Sequence, residues 1–125
     1  MDENQIAKII LDSAFKIHKK LGPGLLESSY VHCLLFEIEQ RGLICEREKV
    51  LPLIYENIKL DQGYRIDLLV EGKVIIEAKA VSELNDVHIA QLLTYLKLSN
   101  CKLGLLLNFN VSMMKNGLKR IVNGL

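Results

Sequence analysis

Residues 65–80, RIDLLVEGKVIIEAKA, decide the fold because their pattern is typical of two β-strands joined by a short turn. Valine, isoleucine and leucine recur on both sides of a central Glu-Gly pair. Three charged side chains, Asp67, Glu77 and Lys79, nevertheless interrupt the apolar sequence. Strand interiors are depleted in aspartate, glutamate and lysine, so strand formation alone does not explain them. The stretch therefore predicts a hairpin that carries a charged site as well as a core.

The length of the turn decides whether the three charges meet. Side chains alternate across a strand, and a three-residue loop with Gly72 in its third, left-handed position is a common solution for a hairpin. We expect this odd-length connection, which places Asp67, Glu77 and Lys79 on one face. Asp67 would then lie opposite Ile75 and diagonal to Glu77, whereas a two-residue loop would put the two carboxylates on opposite faces. The other face would hold the even-numbered residues Tyr64, Ile66, Leu68, Val70, Val74, Ile76, Ala78 and Ala80.

Two carboxylates this close in a half-buried setting repel each other, and the repulsion raises a pKa. A hard divalent cation removes that penalty, and Mg²⁺ commonly binds through one or two carboxylates plus water and phosphate. Lys79 could then help to deprotonate a water or stabilise charge on a phosphate. The alternative is a solvated sheet face on which Lys79 forms a salt bridge with one carboxylate, since half-polar antiparallel sheets are common.

The composition predicts a single domain over residues 1–125 with an aliphatic core, because 50% of the residues are apolar and 6% are aromatic. The formal net charge of +1 gives no electrostatic argument for nucleic-acid binding. Three widely spaced cysteines without a Cys-x-x-Cys pair predict reduced thiols, no disulfide and no structural zinc. The acidic N-terminus and the lack of an apolar run near ~18 residues favour a cytoplasmic protein without a membrane span.

The rest of the chain predicts an α/β protein with a mixed sheet and helices packed on it. Helical spacing indicates helices at 6–21, about 26–41 and about 87–98, the last capped by Asn85 or Asp86. Strand patterns occupy 44–80 and 102–109, and we expect a turn at 61–63. Pro52 predicts an edge strand or a bend, whereas the tail at 111–125 fits neither a helix nor a strand clearly.

Asp67, followed after nine residues by Glu77-Ala78-Lys79, resembles the core signature of the PD-(D/E)xK nuclease superfamily, with Ile66 in the place of its proline. A second stretch, HKKLGPGLLESSY at 18–30, resembles the hallmark of the GxxExxY family, a branch of that superfamily. Gly24, Glu27 and Tyr30 are the named residues of that motif, and the segments RIDLLV, IIEAKA, AQLLTYLK and LGLLLNF match the family pattern in order.

The resemblance implies a restriction-endonuclease-like fold, a mixed β-sheet flanked by α-helices. It implies that Asp67 and Glu77 bind Mg²⁺ or Mn²⁺, and that Lys79 assists the attacking water. The carbonyl of Ala78 and the carboxylate of Glu27 are the further metal ligands it implies.

The resemblance also gives Gln91 a catalytic role at the water or the phosphate, in a Gln-x-x-x-Tyr element that ends at Tyr95. Other polar residues have structural explanations. We expect Tyr30 to be a packing residue with a satisfied hydroxyl, His18 to be a local hydrogen-bonding group, and Glu37 to pair with a basic neighbour.

Two functions of different classes follow. The first is a Mg²⁺- or Mn²⁺-dependent nuclease that hydrolyses phosphodiester bonds of DNA, with RNA as the less favoured substrate. The second is a non-catalytic nucleic-acid- or protein-binding module that retains the nuclease fold. Residues competent for catalysis occupy every named position, which favours the enzyme. With a net charge near zero, substrate binding would need a local patch, a homodimer groove or a partner protein.

Overall fold

The structure, a computed structural model, describes residues 1–60 and 63–125. It contains three α-helices, five β-strands and one 3₁₀ helix. The α-helices are α1 (Glu3–Leu21), α2 (Glu27–Gln40) and α3 (Asp86–Ser99), and the 3₁₀ helix is Met114–Gly117. The strands are β1 (Cys45–Tyr55), β2 (Ile58–Val70), β3 (Val74–Lys79), β4 (Leu103–Asn108) and β5 (Leu118–Val122).

The strands form one mixed sheet in the order β1-β2-β3-β4-β5. Neighbouring strands are antiparallel except β3 and β4, which are parallel. A parallel pair needs a crossover, and α3 supplies it between β3 and β4. The predicted α/β class, with a mixed sheet and packed helices, is confirmed.

The helices cover both faces of this sheet. Helices α1 and α2 pack on one face, with a core that includes Ile6, Ile10, Leu34, Ile38, Leu68, Val70, Ile76, Ala78, Leu105 and Phe109. Helix α3 packs on the other face, with a core that includes Ile66, Leu69, Ile75, Leu92, Leu96 and Leu106. Strand β4 is buried along its whole length, as its continuous apolar run predicted.

Local capping explains where two of the helices begin. Asp2 accepts a hydrogen bond from the backbone of Gln5, and the Gln5 side chain accepts one from the Asp2 amide, which completes a capping box for α1. Asn85 caps α3 by accepting from the His88 amide at 3.0 Å, as predicted. No helix in the described part of the chain is long and apolar enough to cross a bilayer.

The β1–β2 hairpin differs from the predicted one in the position of its turn. The chain reverses at Glu56 and Asn57, whereas we expected a turn at 61–63. Residues 61–62 of that prediction lie outside the described residues. Strand β1 is an edge strand, and its register shifts between Leu51 and Leu53, as Pro52 predicted.

Candidate active site

The connection between β2 and β3 brings the predicted carboxylates together. It has three residues, since β2 ends at Val70 and β3 begins at Val74, and the odd-length prediction is therefore confirmed. The detailed register was wrong, because the loop is formed by residues 71–73, with Gly72 second rather than third, and Ile75 therefore pairs with Leu69 rather than with Asp67. A three-residue loop pairs positions equally distant from its central residue. The register that joins Val70 to Val74 therefore leads to Asp67 directly opposite Glu77.

The two carboxylates bond to backbone amides across the strands. The Asp67 amide donates to Oε2 of Glu77 at 2.7 Å, and the Ala78 amide donates to Oδ2 of Asp67 at 2.9 Å. Regular pairing of β2 with β3 stops one residue earlier, at Leu68 and Ile76. Side-chain oxygens thus replace carbonyl oxygens as acceptors where the two strands part, and each acid is held by the backbone of the opposite strand.

The alternation of side chains breaks at the same point. Leu68 packs with α1 and α2, but Ile66 packs with α3, so the prediction that both lie on one face is wrong. On the neighbouring strand, Glu48 has a φ of 55°, which is uncommon for a residue other than glycine. Pairs on either side of Glu48 keep a constant register, which puts Glu48 opposite Asp67. In both β1 and β2, the regular alternation of side chains between the two faces of the sheet is therefore interrupted beside the candidate site.

Burial and mutual repulsion make both acids hard to ionise. Glu77 is 5% exposed, and burial, followed by the charge of Asp67, raises its pKa to about 8. Burial is also the main cause that raises the pKa of Asp67, and the charges of Glu27 and Glu48 add to it. The predicted repulsion is present, but desolvation is the larger effect.

Lys79 lies two residues beyond Glu77 at the end of β3, where its carbonyl accepts from the Phe109 amide at 2.9 Å. Its charge lowers the pKa of both Asp67 and Glu77 without overcoming the effect of burial. In the ion pairs found among residues 1–60 and 63–125, Lys79 does not take part. The salt-bridge alternative therefore has no support in the structure.

Glu27, the first residue of α2, reaches the end of β3 from the helical layer. Its Oε2 accepts from the Ala80 amide at 3.1 Å, one residue after β3 ends. This contact places a third carboxylate at the end of the strand that carries Glu77. Glu27 itself remains exposed, and its predicted role as a metal ligand beside Asp67 and Glu77 stays a prediction.

Tyr30 holds the loop that leads into Glu27. Its buried hydroxyl donates to the Gly22 carbonyl at 2.6 Å and accepts from the Leu25 amide at 3.2 Å. Its ring stacks on Phe109 with a centroid separation of 4.3 Å. Within this loop, Gly24 lies between Gly22 and Leu25 and has a φ of 104°, a conformation that favours glycine. The prediction of a packing role with a satisfied hydroxyl is confirmed.

A cleft of about 320 Å³ opens between α2 and the β1–β2 hairpin. Its lining residues are Glu27, Ser28, Val31, His32, Arg47, Glu48 and Asp67. The cleft thus joins two of the predicted site residues to four polar side chains that sequence reasoning did not select.

Comparison with known families agrees with this geometry. A family model described as the PD-(D/E)XK nuclease superfamily matches residues 4–121. The chain belongs to this superfamily. Comparisons with curated proteins and with solved structures gave no match. The restriction-endonuclease-like fold is confirmed, and the narrower assignment to the GxxExxY branch stays a prediction.

The donor set of this superfamily member fits a small hard cation. Within the described ranges, no group of three or more His, Cys, Asp or Glu side chains is placed to hold a metal. Asp67 and Glu77 remain as a convergent pair, and one or two carboxylates are what Mg²⁺ commonly takes from a protein. A cation would also offset the repulsion that raises both pKa values.

The other predicted residues of the superfamily site are less clearly connected. Gln91 is exposed on α3 and takes no part in the hydrogen bonds among the site residues described above. One turn later, Tyr95 is buried, and its pKa is raised first by burial and then by the charges of Glu77 and Asp67. Helix α3 therefore approaches the acids at Tyr95. The metal-ligand role of the Ala78 carbonyl stays a prediction.

Two further residues have structural roles. His18 forms a hydrogen bond as predicted, but not a local one: it is buried, and its Nε2 donates to the carbonyl of Val111, 93 residues away in the chain, at 2.7 Å. Glu37 pairs with Arg41 at 2.6 Å and Lys16 at 3.1 Å, and these bonds lower its pKa. Neither residue belongs to the site.

Proposed function

We propose that this protein is a Mg²⁺- or Mn²⁺-dependent nuclease that hydrolyses phosphodiester bonds of DNA. The observation that carries the proposal is the opposed pair of Asp67, which is half-buried, and Glu77, which is buried. Each acid is fixed by an amide of the opposite strand, and both have raised pKa values. Perturbed, convergent acids of this kind are typical of functional sites.

In this proposal, Asp67 and Glu77 hold the cation, with the Glu27 carboxylate and the Ala78 carbonyl as additional oxygen donors. A bound Mg²⁺ or Mn²⁺ polarises the phosphate and lowers the pKa of its water. Lys79, which has no ion-pair partner among the described residues, orients the attacking water or stabilises charge on the phosphate. Gln91 contacts the water or a phosphate oxygen from α3.

A non-catalytic binding module is the second candidate, and one observation supports it. Apolar side chains along the β1–β2 hairpin are more than half exposed, namely Val50, Ile54, Tyr55 and Ile58. Exposed apolar patches on a soluble domain often mark interaction sites. A second copy of the chain or a partner protein could cover them, with or without catalysis.

A cleavage assay separates the two candidates. The purified chain is incubated with Mn²⁺ or Mg²⁺ and with plasmid, linear, single-stranded or branched DNA, and with RNA of matched sequence. The proposal expects metal-dependent cleavage that is strongest on a DNA form and absent in the Glu77→Gln variant. Equal products from parent and variant would show a contaminating activity. No cleavage of any substrate by a folded, metal-binding chain would favour the binding module.

A further inference from the structure

The cleft beside Asp67 contains one basic side chain of fixed charge. Arg47 is the only lysine or arginine among its lining residues, all of which lie in the described part of the chain. It pairs with Leu68 across the β1–β2 ladder, so its strand position is next to that of Asp67. Ser28 and His32, from the α2 wall of the same cleft, are polar groups that can form hydrogen bonds.

The present partner of Arg47 holds it weakly. Its Nη2 lies 3.5 Å from Oε1 of Glu48, and the two side chains are 41% and 58% exposed. Exposed ion pairs with this geometry contribute little to stability. The guanidinium can therefore change partner at small cost when a stronger anion enters the cleft.

The charges of the cleft show why a substrate would need this arginine. Its lining carries the carboxylates of Glu27, Glu48 and Asp67 and the single guanidinium of Arg47, a formal charge of −2. One divalent cation cancels that charge and leaves a neutral cleft. Without Arg47 the loaded cleft keeps a net negative charge, which repels a phosphate.

We infer that Arg47 binds a phosphate of the nucleic-acid substrate beside the Asp67–Glu77 pair. The inference rests on the proposed function and assigns it a substrate-binding residue. The planar guanidinium can bond two phosphate oxygens at once, a geometry that lysine does not offer. Ser28 and His32 contribute hydrogen bonds to the same phosphate from the opposite wall.

The test measures binding of fluorescein-labelled 20-nucleotide DNA and RNA by anisotropy in Mg²⁺. Arg47→Gln is made in a Lys79→Met chain, so that cleavage does not interfere. We expect Arg47→Gln to weaken binding about 10- to 100-fold on both nucleic acids, as expected for the loss of a charged hydrogen bond. The slope of log affinity against log salt should become shallower by about one. In the cleaving parent, Arg47→Gln should raise KM with little change in kcat.

Arg65→Gln is the matched control, because it removes the same charge from an exposed position on β2 outside the cleft lining. It should change affinity less than about twofold, since surface charges away from a contact act only through the overall field. Arg47→Lys should fall between the parent and Arg47→Gln, and it serves in place of Arg47→Gln if that chain does not fold. The rise in melting temperature on addition of Mg²⁺ should be at least as large in Arg47→Gln as in the parent, because the substitution removes a positive charge beside the cation.

The outcomes separate this inference from the proposed function. Equal affinities of Arg47→Gln and Arg65→Gln, in a chain that cleaves with metal, would overturn the role of Arg47 alone. A loss on only DNA or only RNA would place Arg47 on a sugar or base and also overturn it. If the parent never cleaves but binding still depends on Arg47, the phosphate site stands and the nuclease proposal fails.

Discussion

At the scale of single residues, Glu77 is the acid whose charge the fold tolerates least. It is buried beside Asp67, and its best hydrogen-bond donor is a neutral backbone amide. Active sites often keep such destabilising groups because the function needs them. The free energy that Glu77 costs the metal-free protein can therefore be recovered by substitution.

Glu77→Gln should leave the metal-free fold as stable as the parent or more stable by about 0.5–2 kcal/mol. The amide oxygen of glutamine can still accept from the Asp67 amide, but the charge is gone. The variant should lose metal-dependent cleavage, and Mg²⁺ or Mn²⁺ should raise its melting temperature much less than that of the parent. Thermal melts with and without metal measure this. A clear loss of metal-free stability would instead support the sheet-face salt bridge.

Lys79→Met should separate metal binding from catalysis. Lys79 lies outside the ion pairs of the described residues, and its removal takes no ligand from the cation. The metal-induced rise in melting temperature should persist, while the cleavage rate should fall by at least about 100-fold, the usual contribution of a group that assists proton transfer. A lost metal response would mean that Lys79 supports the cation site itself.

At the scale of secondary-structure elements, the loop between α1 and α2 decides where Glu27 lies. Tyr30 joins Gly22 to Leu25 through one hydroxyl and anchors the loop against Phe109. Through these contacts, a tyrosine three residues after the glutamate can affect the position of Glu27 without entering the site. It fixes the first turn of α2, from which the Glu27 carboxylate reaches the Ala80 amide.

Tyr30→Phe keeps the stacked ring but removes both hydroxyl bonds. We expect a loss of about 1–3 kcal/mol in the free energy of unfolding, because backbone groups lose a partner, and slower cleavage through a displaced Glu27. Tyr55→Phe, at an exposed position on the hairpin, is the control and should change neither quantity. Denaturant titration and the cleavage assay test both variants. Unchanged stability of Tyr30→Phe would remove the loop-anchoring role.

The sequence predicted the β2–β3 part of the site better than the β1–β2 part, for a physical reason. A short loop with Gly72 limits the possible registers, and its odd length puts Asp67 and Glu77 on one face; their direct opposition depends on the exact position of the loop, which the sequence did not predict. The turn of the longer hairpin is formed by Glu56 and Asn57, and Glu56 adopts a positive φ of 53° without a glycine. That turn has a weak sequence signal, so the register of β1 could not be predicted.

The two β1 residues of the cleft were missed for the same reason. Arg47 and Glu48 lie in an alternating run of charges, which is typical of an exposed edge strand. Only the register of β1 places Glu48 opposite Asp67. The sequence also could not predict that side chains stop alternating between the sheet faces at Asp67. Ile66 and Leu68 are both aliphatic, so the sequence does not show that they pack in different cores. Motif residues were predictable, but their neighbours across strands were not.

At the scale of the whole molecule, Asp67 and Glu77 link stability to pH. The pKa of Glu77 in the fold, about 8, lies above its ordinary value of 4.5. The folded chain therefore binds this proton more tightly than the unfolded chain. The resulting stability is fully present below about pH 4.5 and is lost as the pH rises through about 8. The raised pKa of Asp67 acts in the same direction.

The metal-free parent should therefore lose stability between pH 5 and pH 8 relative to Glu77→Gln, in which the titrating group is absent. Saturating Mg²⁺ should remove much of this difference, because a cation compensates the charge that the protons leave behind. Melting temperatures of the two proteins across this pH range, with and without Mg²⁺, measure the effect. Parallel pH profiles without metal would contradict the raised pKa.

Where β2 and β3 separate, the amides of two residues donate to carboxylates of the site, so hydrogen exchange at these amides can report on the state of the site. The amides of Asp67 and Ala78 donate to ionisable carboxylates, whereas their neighbours in the ladder donate to carbonyls that never titrate. Hydrogen exchange at these two amides should therefore respond to protonation of the acids and to occupancy of the site, while exchange at Leu69 and Ile75 should follow the fold as a whole. The exchange rates of these two amides would therefore report whether the Asp67–Glu77 pair is charged, protonated or occupied by a cation.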